Sequence, residues 1–438
     1  MSRKGLALYC MKINAVITSC LCRFEPISSG MKNSDYVIIG GGLAGSHAAQ
    51  AIRENDPDGS ILLVSNENHL PYDRVPLSKN YLMGKMKSEV LYVKQPNFYA
   101  DQKIELLVGS KATKLDPENH DVYIGNDIKI KYKKLLLATG GQARRLSIPG
   151  SDLKGVFYLR TIDDADEIIK VMQESKNVVI IGGGFIGCEL ASSFTKKNIS
   201  STIIELGPKI LGRVFDQDTA RWLDDYFARK GVKIMTNTTP TEIVGKKGKT
   251  SGVKLQSGQI IPADFLVIGI GIIPSTDLAK DAGLEVDNGI VVNQYLQTSN
   301  PDIYAASDVA RFYSPVFRRY MRLEHYDLAV KQGRLAGENM TGKSKQFEEL
   351  PYFFSFMFDV RIEAYGDMSK YNNVVTKGNP IENGGFTKFY LDDGVINAVM
   401  MVTRKENVEY IKQLIYSRKK INDPSILTKD EQKIGATT

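Results

Sequence analysis

Two short segments, 142 residues apart from Gly40 to Gly182, carry the same pattern. The first is Tyr36-Val-Ile-Ile-Gly40-Gly-Gly42-Leu43-Ala44-Gly45, and the second Asn177-Val-Val-Ile-Ile-Gly182-Gly-Gly184-Phe185-Ile186-Gly187. Each is an apolar, β-branched run, then G-x-G-x-x-G, then a helical stretch. Glycine in this pattern permits a tight strand-to-helix turn, brings backbone close to a pyrophosphate and lets the helix pack on its strand. The pyrophosphate sits on free N–H groups at the positive end of the helix dipole. Two such turns in one chain predict an α/β architecture with two Rossmann-like units, and two dinucleotides between which electrons pass.

The rest of the chain fits that frame. At 438 residues it exceeds one core, so two or three domains are expected. No apolar run approaches the roughly 20 residues that span a bilayer. The net charge of +7 is a mild excess, short of the basic stripe of a nucleic-acid binder, and suits an acidic protein partner. Cys10, Cys20 and Cys22 precede the first strand and only Cys188 follows, so no disulfide framework is expected and a reducing, cytoplasmic setting is indicated. Residues 1–33 read as an extension, an upstream start or disordered leader, with Met31 five residues ahead of the first strand.

Periodicity divides the remainder. Residues 34–147 begin with a βαβ unit whose second strand is Ile61–Val64. Short strands follow at Glu105–Val108, Asp121–Ile124 and Ile128–Tyr132, and the unit closes on Leu135–Gly140. Residues 148–271 repeat the plan with strands Val178–Ile181, Thr202–Glu205, Val232–Met235 and Phe265–Gly269, a helix Asp216–Lys230 and a polar hairpin at Lys246–Gly252. Residues 272–345 look like the rest of the first unit and end in a helix Tyr326–Asn339. Residues 346–438 change character, with strands Phe386–Leu391 and Val395–Val402 and a helix Asn407–Arg418. They are expected to form an α+β cap or dimerisation domain.

In the second turn, Gly182, Gly184 and Gly187 are positioned for the NAD pyrophosphate. Glu205 ends the next strand. A carboxylate there accepts two ribose hydroxyls and repels a 2′-phosphate, which favours NADH over NADPH. Lys209 and Arg213 lie nearby and soften that preference. In the first turn, Gly40, Gly42 and Gly45 are positioned for the pyrophosphate of the other dinucleotide. The acid expected about 20 residues on is replaced by Asn66 with Glu67 beside it, and either can make the ribose contact.

Further segments carry a family resemblance: Leu70-Pro-Tyr-Asp-Arg74-Val-Pro-Leu-Ser-Lys79; Ala138-Thr139-Gly140 with Arg144; Gly182–Glu189; Gly269-Ile-Gly271-Ile-Ile-Pro274; Ile303-Tyr-Ala-Ala-Ser-Asp308; Arg322-Leu-Glu324-His325-Tyr326; and Pro351-Tyr-Phe-Phe354-Ser. Together they resemble the FAD-dependent pyridine nucleotide-disulfide oxidoreductases. The likeness is strongest to the ferredoxin and rubredoxin reductase branch, related to apoptosis-inducing factor. It covers roughly residues 34–427 and implies an FAD domain interrupted by an NAD domain, followed by a C-terminal domain. It also implies that hydride passes from NADH to FAD and that single electrons leave to a ferredoxin or rubredoxin-like carrier.

By the same resemblance, Lys79 lies at flavin N5 and pairs with Glu189, and these two are the expected catalytic residues. Gly40, Gly42, Leu43, Ala44, Gly45, Asn66, Glu67, Arg74, Ala112, Ala138, Thr139, Gly140, Arg144, Asp308, His325, Tyr326 and Phe354 fall to FAD. Phe185, Ile186, Gly271 and Glu324 fall to NAD. The chain departs from the pattern at Ser307, where glycine is usual, at Phe354, where tryptophan is frequent, and at Phe356, which replaces an acid. Cys188 reads as a packing residue and no metal site is expected. Arg318, Arg319 and Arg322 stand where they could steer an acidic carrier. Two rivals share these residues: an NADH oxidase or quinone reductase, and an NADH-sensing interaction protein that dimerises.

Overall fold

The fold is described from a computed structural model covering residues 31–379 and 385–429. Residues 1–30, with Cys10, Cys20 and Cys22, lie outside the described residues. The first strand, Met31–Ile39, begins at Met31 itself rather than five residues later, because Met31–Ser34 continue the parallel pairing with Lys129–Tyr132. Its last residues, Val37–Ile39, are fully buried and lead straight into the first glycine turn and the helix Leu43–Asn55.

A seven-stranded sheet surrounds that turn. In order it runs Ile104–Leu107, Ile61–Val64, Met31–Ile39, Ile128–Leu137, Asp121–Ile124 and Ala112–Asp116. Ile128–Leu137 is one continuous strand where the sequence suggested two. The seventh strand, Ile303–Ala305, pairs in parallel with Leu135–Leu137 although it lies far downstream. The helix Tyr326–Met340 then packs against Leu43–Asn55, and two glycines make that approach possible. A Cβ at Gly333 would stand 2.4 Å from the Ala44 carbonyl oxygen, and one at Gly337 2.5 Å from that of Ala48.

The second glycine turn sits in a five-stranded parallel sheet, ordered Lys233–Met235, Ser200–Ile204, Asn177–Ile181, Phe265–Ile268 and Val156–Tyr158. Its strands are apolar on both faces, as expected where helices cover one side and a three-stranded hairpin sheet the other. The chain enters this unit through Gly141–Ala143 and leaves through Ile272–Pro274. These two crossings pair with each other, antiparallel.

The last sheet is antiparallel, ordered Tyr352–Met357, Val360–Gly366, Val395–Val402, Phe386–Asp392 and Asn373–Gly378. The helix Val408–Ser417 buries Ile411 and Ile415 against one face. The other face packs on the helix Gln217–Arg229 of the second unit, and a buried ion pair marks the junction: Lys388 Nζ lies 2.6 Å from Asp216, the N-cap of that helix. The Tyr390 hydroxyl donates to the other oxygen of Asp216.

Candidate active site

A cavity of about 570 Å3 opens above the first glycine turn and runs toward the helix that follows the second. That size lies within the roughly 300–1,000 Å3 of cofactor sites. At its near end, Gly40 has φ +129°, and a Cβ there would stand 2.1 Å from the Ala138 carbonyl oxygen. No atom lies within 4 Å of where a Cβ on Gly42 would be, so that backbone faces open space. Gly42, Leu43, Ala44, Ala138, Thr139 and Gly140 line the wall. Gly45 serves the turn from behind, packed against the Gly40 carbonyl.

The choice left open between Asn66 and Glu67 is narrowed by an ion pair. Glu67 is held by Arg74 at 2.5 Å and by the Tyr72 hydroxyl at 2.5 Å. Burial opposes its ionisation, but the Arg74 charge and these hydrogen bonds outweigh burial and keep its carboxyl below the usual range. Asn66 lines the cavity, is exposed, and has no such commitment.

Farther along, the short helix Val75–Ser78 ends in Lys79. Lys79 Nζ lies 2.6 Å from Glu189 Oε2, with the side chains 16% and 6% exposed. Glu189 stands on the helix Phe185–Lys196 of the second unit, so this contact joins the two units. Two hydroxyls complete it: Ser78 Oγ donates to Oε2 and Ser355 Oγ to Oε1, both at 2.6 Å. A buried carboxylate is tolerated only when so paired.

Asp308 lines the same cavity, and Arg160 Nη2 approaches its Oδ2 to 3.0 Å. The preceding Ser307 has φ +74°, a left-handed conformation that explains why glycine would suit this place. His325, Tyr326, Phe353, Phe354 and Phe185 form an aromatic wall at the far end. Burial pushes the His325 imidazole down to about 4, so it is neutral at pH 7, and among the described residues its Nδ1 has no hydrogen-bond partner. An elongated cleft with an open glycine turn, a cation, an aromatic wall and an unpartnered imidazole nitrogen fits the dinucleotide FAD.

The second turn has the same construction. Gly182 has φ +109°, and a Cβ on Gly184 would meet nothing within 4 Å. Glu205 accepts from the Gly183 N–H at 2.6 Å and the Gly207 N–H at 2.7 Å. Each carboxylate oxygen keeps a further lone pair for a ribose hydroxyl. Gly182, Gly184, Gly187, Glu205 and Gly271 lie outside the 570 Å3 cavity, into which only Phe185, Ile186 and Glu189 of this segment reach. Glu324 lines it too, paired with Arg322 at 2.9 Å.

Three sequence expectations concern residues that stand outside the cavity or are paired elsewhere. Ala112 sits on the edge strand Ala112–Asp116, packed on the core, and does not line the cavity. Arg144 is exposed and also outside it; its backbone N–H is spent on the Gly271 carbonyl. Three other arginines do line the cavity: Arg74, Arg145, whose guanidinium stacks 4.1 Å over the Tyr158 ring, and Arg160. Of the three steering arginines, Arg319 is paired with Asp367 and Arg322 with Glu324, which leaves Arg318 as the exposed one. Arg160 and Ser355 are the functional positions sequence reading missed. Ser355 closes the Pro351–Ser355 motif but reaches Glu189 only through packing of the C-terminal sheet, and Arg160, just past the strand Val156–Tyr158, lies in no motif. Cys188 is fully buried, its thiol pushed up by burial, as a packing residue should be.

Comparison with known proteins places this arrangement. Residues 34–333 match the family model described as pyridine nucleotide-disulphide oxidoreductase, and residues 352–433 match a reductase C-terminal model. The putidaredoxin reductase of Pseudomonas putida is 34% identical over 400 residues, covering 90% of this chain and 94% of that protein. A rubredoxin-NAD(+) reductase of Pseudomonas putida is 35% identical over 343 residues, covering 78% and 89%. Among solved structures, the covalent putidaredoxin reductase–putidaredoxin complex superposes with a TM-score of 0.87 at 34% identity, covering 92% of this chain and 97% of that one. With two glycine turns, a cation–carboxylate pair between them and a matching C-terminal sheet, the chain belongs to the pyridine nucleotide-disulphide oxidoreductase family.

Proposed function

We propose that this chain is an FAD-dependent NADH oxidoreductase that reduces a small iron–sulfur or rubredoxin-like carrier. In this reading residues 34–147 and 272–345 hold FAD, residues 148–271 hold NADH, and residues 346–438 cap the site. The observation that carries it is the Lys79–Glu189 pair, set in one cavity between the first turn and the second helix. FAD, held there by the residues lining the cavity, would supply hydride acceptance from NADH and the release of single electrons.

The protein's own residues prepare that exchange. Lys79 presents a cation where negative charge grows on the reduced cofactor, and Glu189 keeps that cation from being buried alone. Asp308 and Arg160 orient the middle of the cofactor. Phe353, Phe354 and Phe185 exclude water from the far end, and Glu205 selects the ribose of NADH. The disulfide chemistry in the family description has no counterpart in this cavity, because Cys188 is the free cysteine among the described residues and lies in the core. Carriers rather than disulfides are therefore the acceptors, in keeping with the named relatives that act on putidaredoxin and rubredoxin. Among the described residues no helix is long and apolar enough to cross a membrane. We place the protein in the cytoplasm.

The test is purification followed by reduction. The protein should bind FAD, bleach with NADH, and pass electrons to a ferredoxin or rubredoxin faster than to quinone or oxygen. A preparation that rejects added FAD, or one that bleaches yet reduces only quinone, would overturn the assignment.

A further inference from the structure

Glu189 is the meeting point of three parts of the chain. Ser78 and Lys79 come from the first glycine-turn unit, Glu189 from the second, and Ser355 from the C-terminal sheet. The helix that carries Glu189 turns a polar face into this junction. Residues i, i+3 and i+4 share one helix face, and here Glu189, Ser192 and Ser193 all point at partners from other segments. Ser193 Oγ donates to the Ser78 carbonyl at 2.7 Å, and Ser192 Oγ accepts the Phe358 N–H at 2.6 Å. All three side chains are buried, as are Ser78 and Ser355.

This division of the carboxylate matters for charge. Oε2 receives Lys79 and Ser78, Oε1 accepts from Ser355, and the Lys79 ammonium also donates to the Val75 carbonyl at 3.3 Å. A carboxylate can bind a cation through both oxygens when both are free. Ser355 prevents that by holding Oε1 toward the C-terminal sheet. Part of the carboxylate's charge is thereby spent on a hydroxyl, and the Lys79 ammonium is left incompletely neutralised on its cavity side.

We propose that Ser355 is a positioning residue for the Lys79 cation, setting how much of that charge the cofactor feels. The inference rests on the FAD reading above. It also gives the C-terminal sheet an electrostatic task beyond covering the site. Ser355 lies on the edge strand Tyr352–Met357, between Phe354, which lines the cavity, and Phe356, which is 44% exposed at the surface.

The experiment is a redox titration of bound flavin in wild type, Ser355→Ala, Ser355→Thr, Lys79→Met and the Ser355→Ala/Lys79→Met pair, with thermal unfolding of each apoprotein alongside. Lys79→Met lowers the midpoint potential. Ser355→Ala lowers it in the same direction by a smaller amount, because the freed carboxylate closes on Lys79 with both oxygens. Ser355→Thr, which keeps the hydroxyl, restores the wild-type value. In the Lys79→Met background Ser355→Ala changes nothing further, since groups in one network are non-additive. If Lys79→Met shifts the potential and Ser355→Ala moves only the unfolding temperature, Ser355 is a packing residue and the proposal is wrong. If Lys79→Met leaves the potential unmoved, the placement of the cofactor fails and this proposal falls with it.

Discussion

Glu205 has one task the structure shows and one that is proposed, and one substitution series separates them. Its two oxygens accept the Gly183 and Gly207 N–H groups, so it braces the second glycine loop. In the proposed reading the same carboxylate also receives the adenosine ribose of the nicotinamide coenzyme. Two unit charges 4 Å apart repel by about 4 kcal/mol at an effective dielectric of 20. The residue is only half-buried, and salt and water on the open side reduce this to about 2 kcal/mol. Since each 1.4 kcal/mol is tenfold, Glu205→Gln is expected to shift the NADH-to-NADPH ratio of kcat/KM by about 30-fold toward NADPH. Glu205→Ala should shift the ratio by a similar factor, because the charge is lost in both. Stability separates the two variants. Glu205→Gln keeps one amide oxygen for the loop, whereas Glu205→Ala leaves two backbone donors without their acceptor, at about 1–3 kcal/mol each where water does not replace it. The assays are steady-state kinetics with both coenzymes and denaturant unfolding of the apoprotein. If unfolding weakens while the coenzyme ratio stays put, Glu205 is a loop brace only, and its ribose role is refuted.

Four more outcomes are expected. Lys388→Met should cost about 3–5 kcal/mol in denaturant unfolding, because it strands the buried Asp216 carboxylate; an unchanged midpoint would mean the junction with the C-terminal sheet is not load-sharing. Burial opposes ionisation of Asp216, but Lys388, Thr219 and Tyr390 hold its carboxyl below 3.8. The stability it contributes is therefore present above pH 3.8 and is lost as pH falls through the lower folded value, a loss that Asp216→Asn should abolish. His47 and His325 are both pushed down to about 4 by burial from 6.5. Their neutral forms favour the folded state above pH 6.5, and unfolding free energy should drop between pH 6.5 and 4, less steeply in a His47→Gln/His325→Gln variant. Ser307→Gly should stabilise the apoprotein by about 0.5–1 kcal/mol, the relief of a left-handed serine less the added chain entropy of glycine; a lower unfolding temperature would show that the Ser307 hydroxyl, 3.3 Å from Asp308, matters more than the backbone.

What the sequence determined by itself was the set of features written in neighbouring residues. A glycine turn is a local backbone geometry, so both were legible, and the strands and helices around them fall within a few residues of their expected places. Asp216 and Asn407 were readable as helix starts, and each accepts the backbone N–H three residues on, as a cap does. The first strand was misplaced at its start because Met31–Ser34 are extended only through pairing with Lys129–Tyr132, a partner nearly a hundred residues away. The candidate site divides along the same line. Lys79 and Glu189 were found through the motifs that contain them, but their contact spans 110 residues and exists only because the helix Phe185–Lys196 packs against the segment before Lys79. Tertiary structure alone tied Glu67 to Arg74 and left Asn66 uncommitted at the cavity, brought Arg160 to Asp308, and delivered Ser355 to Glu189. Burial and opposite charge decided each of these, and both are properties of the packed chain: a side chain's partner is set by which surfaces exclude water together, which no single stretch of sequence records.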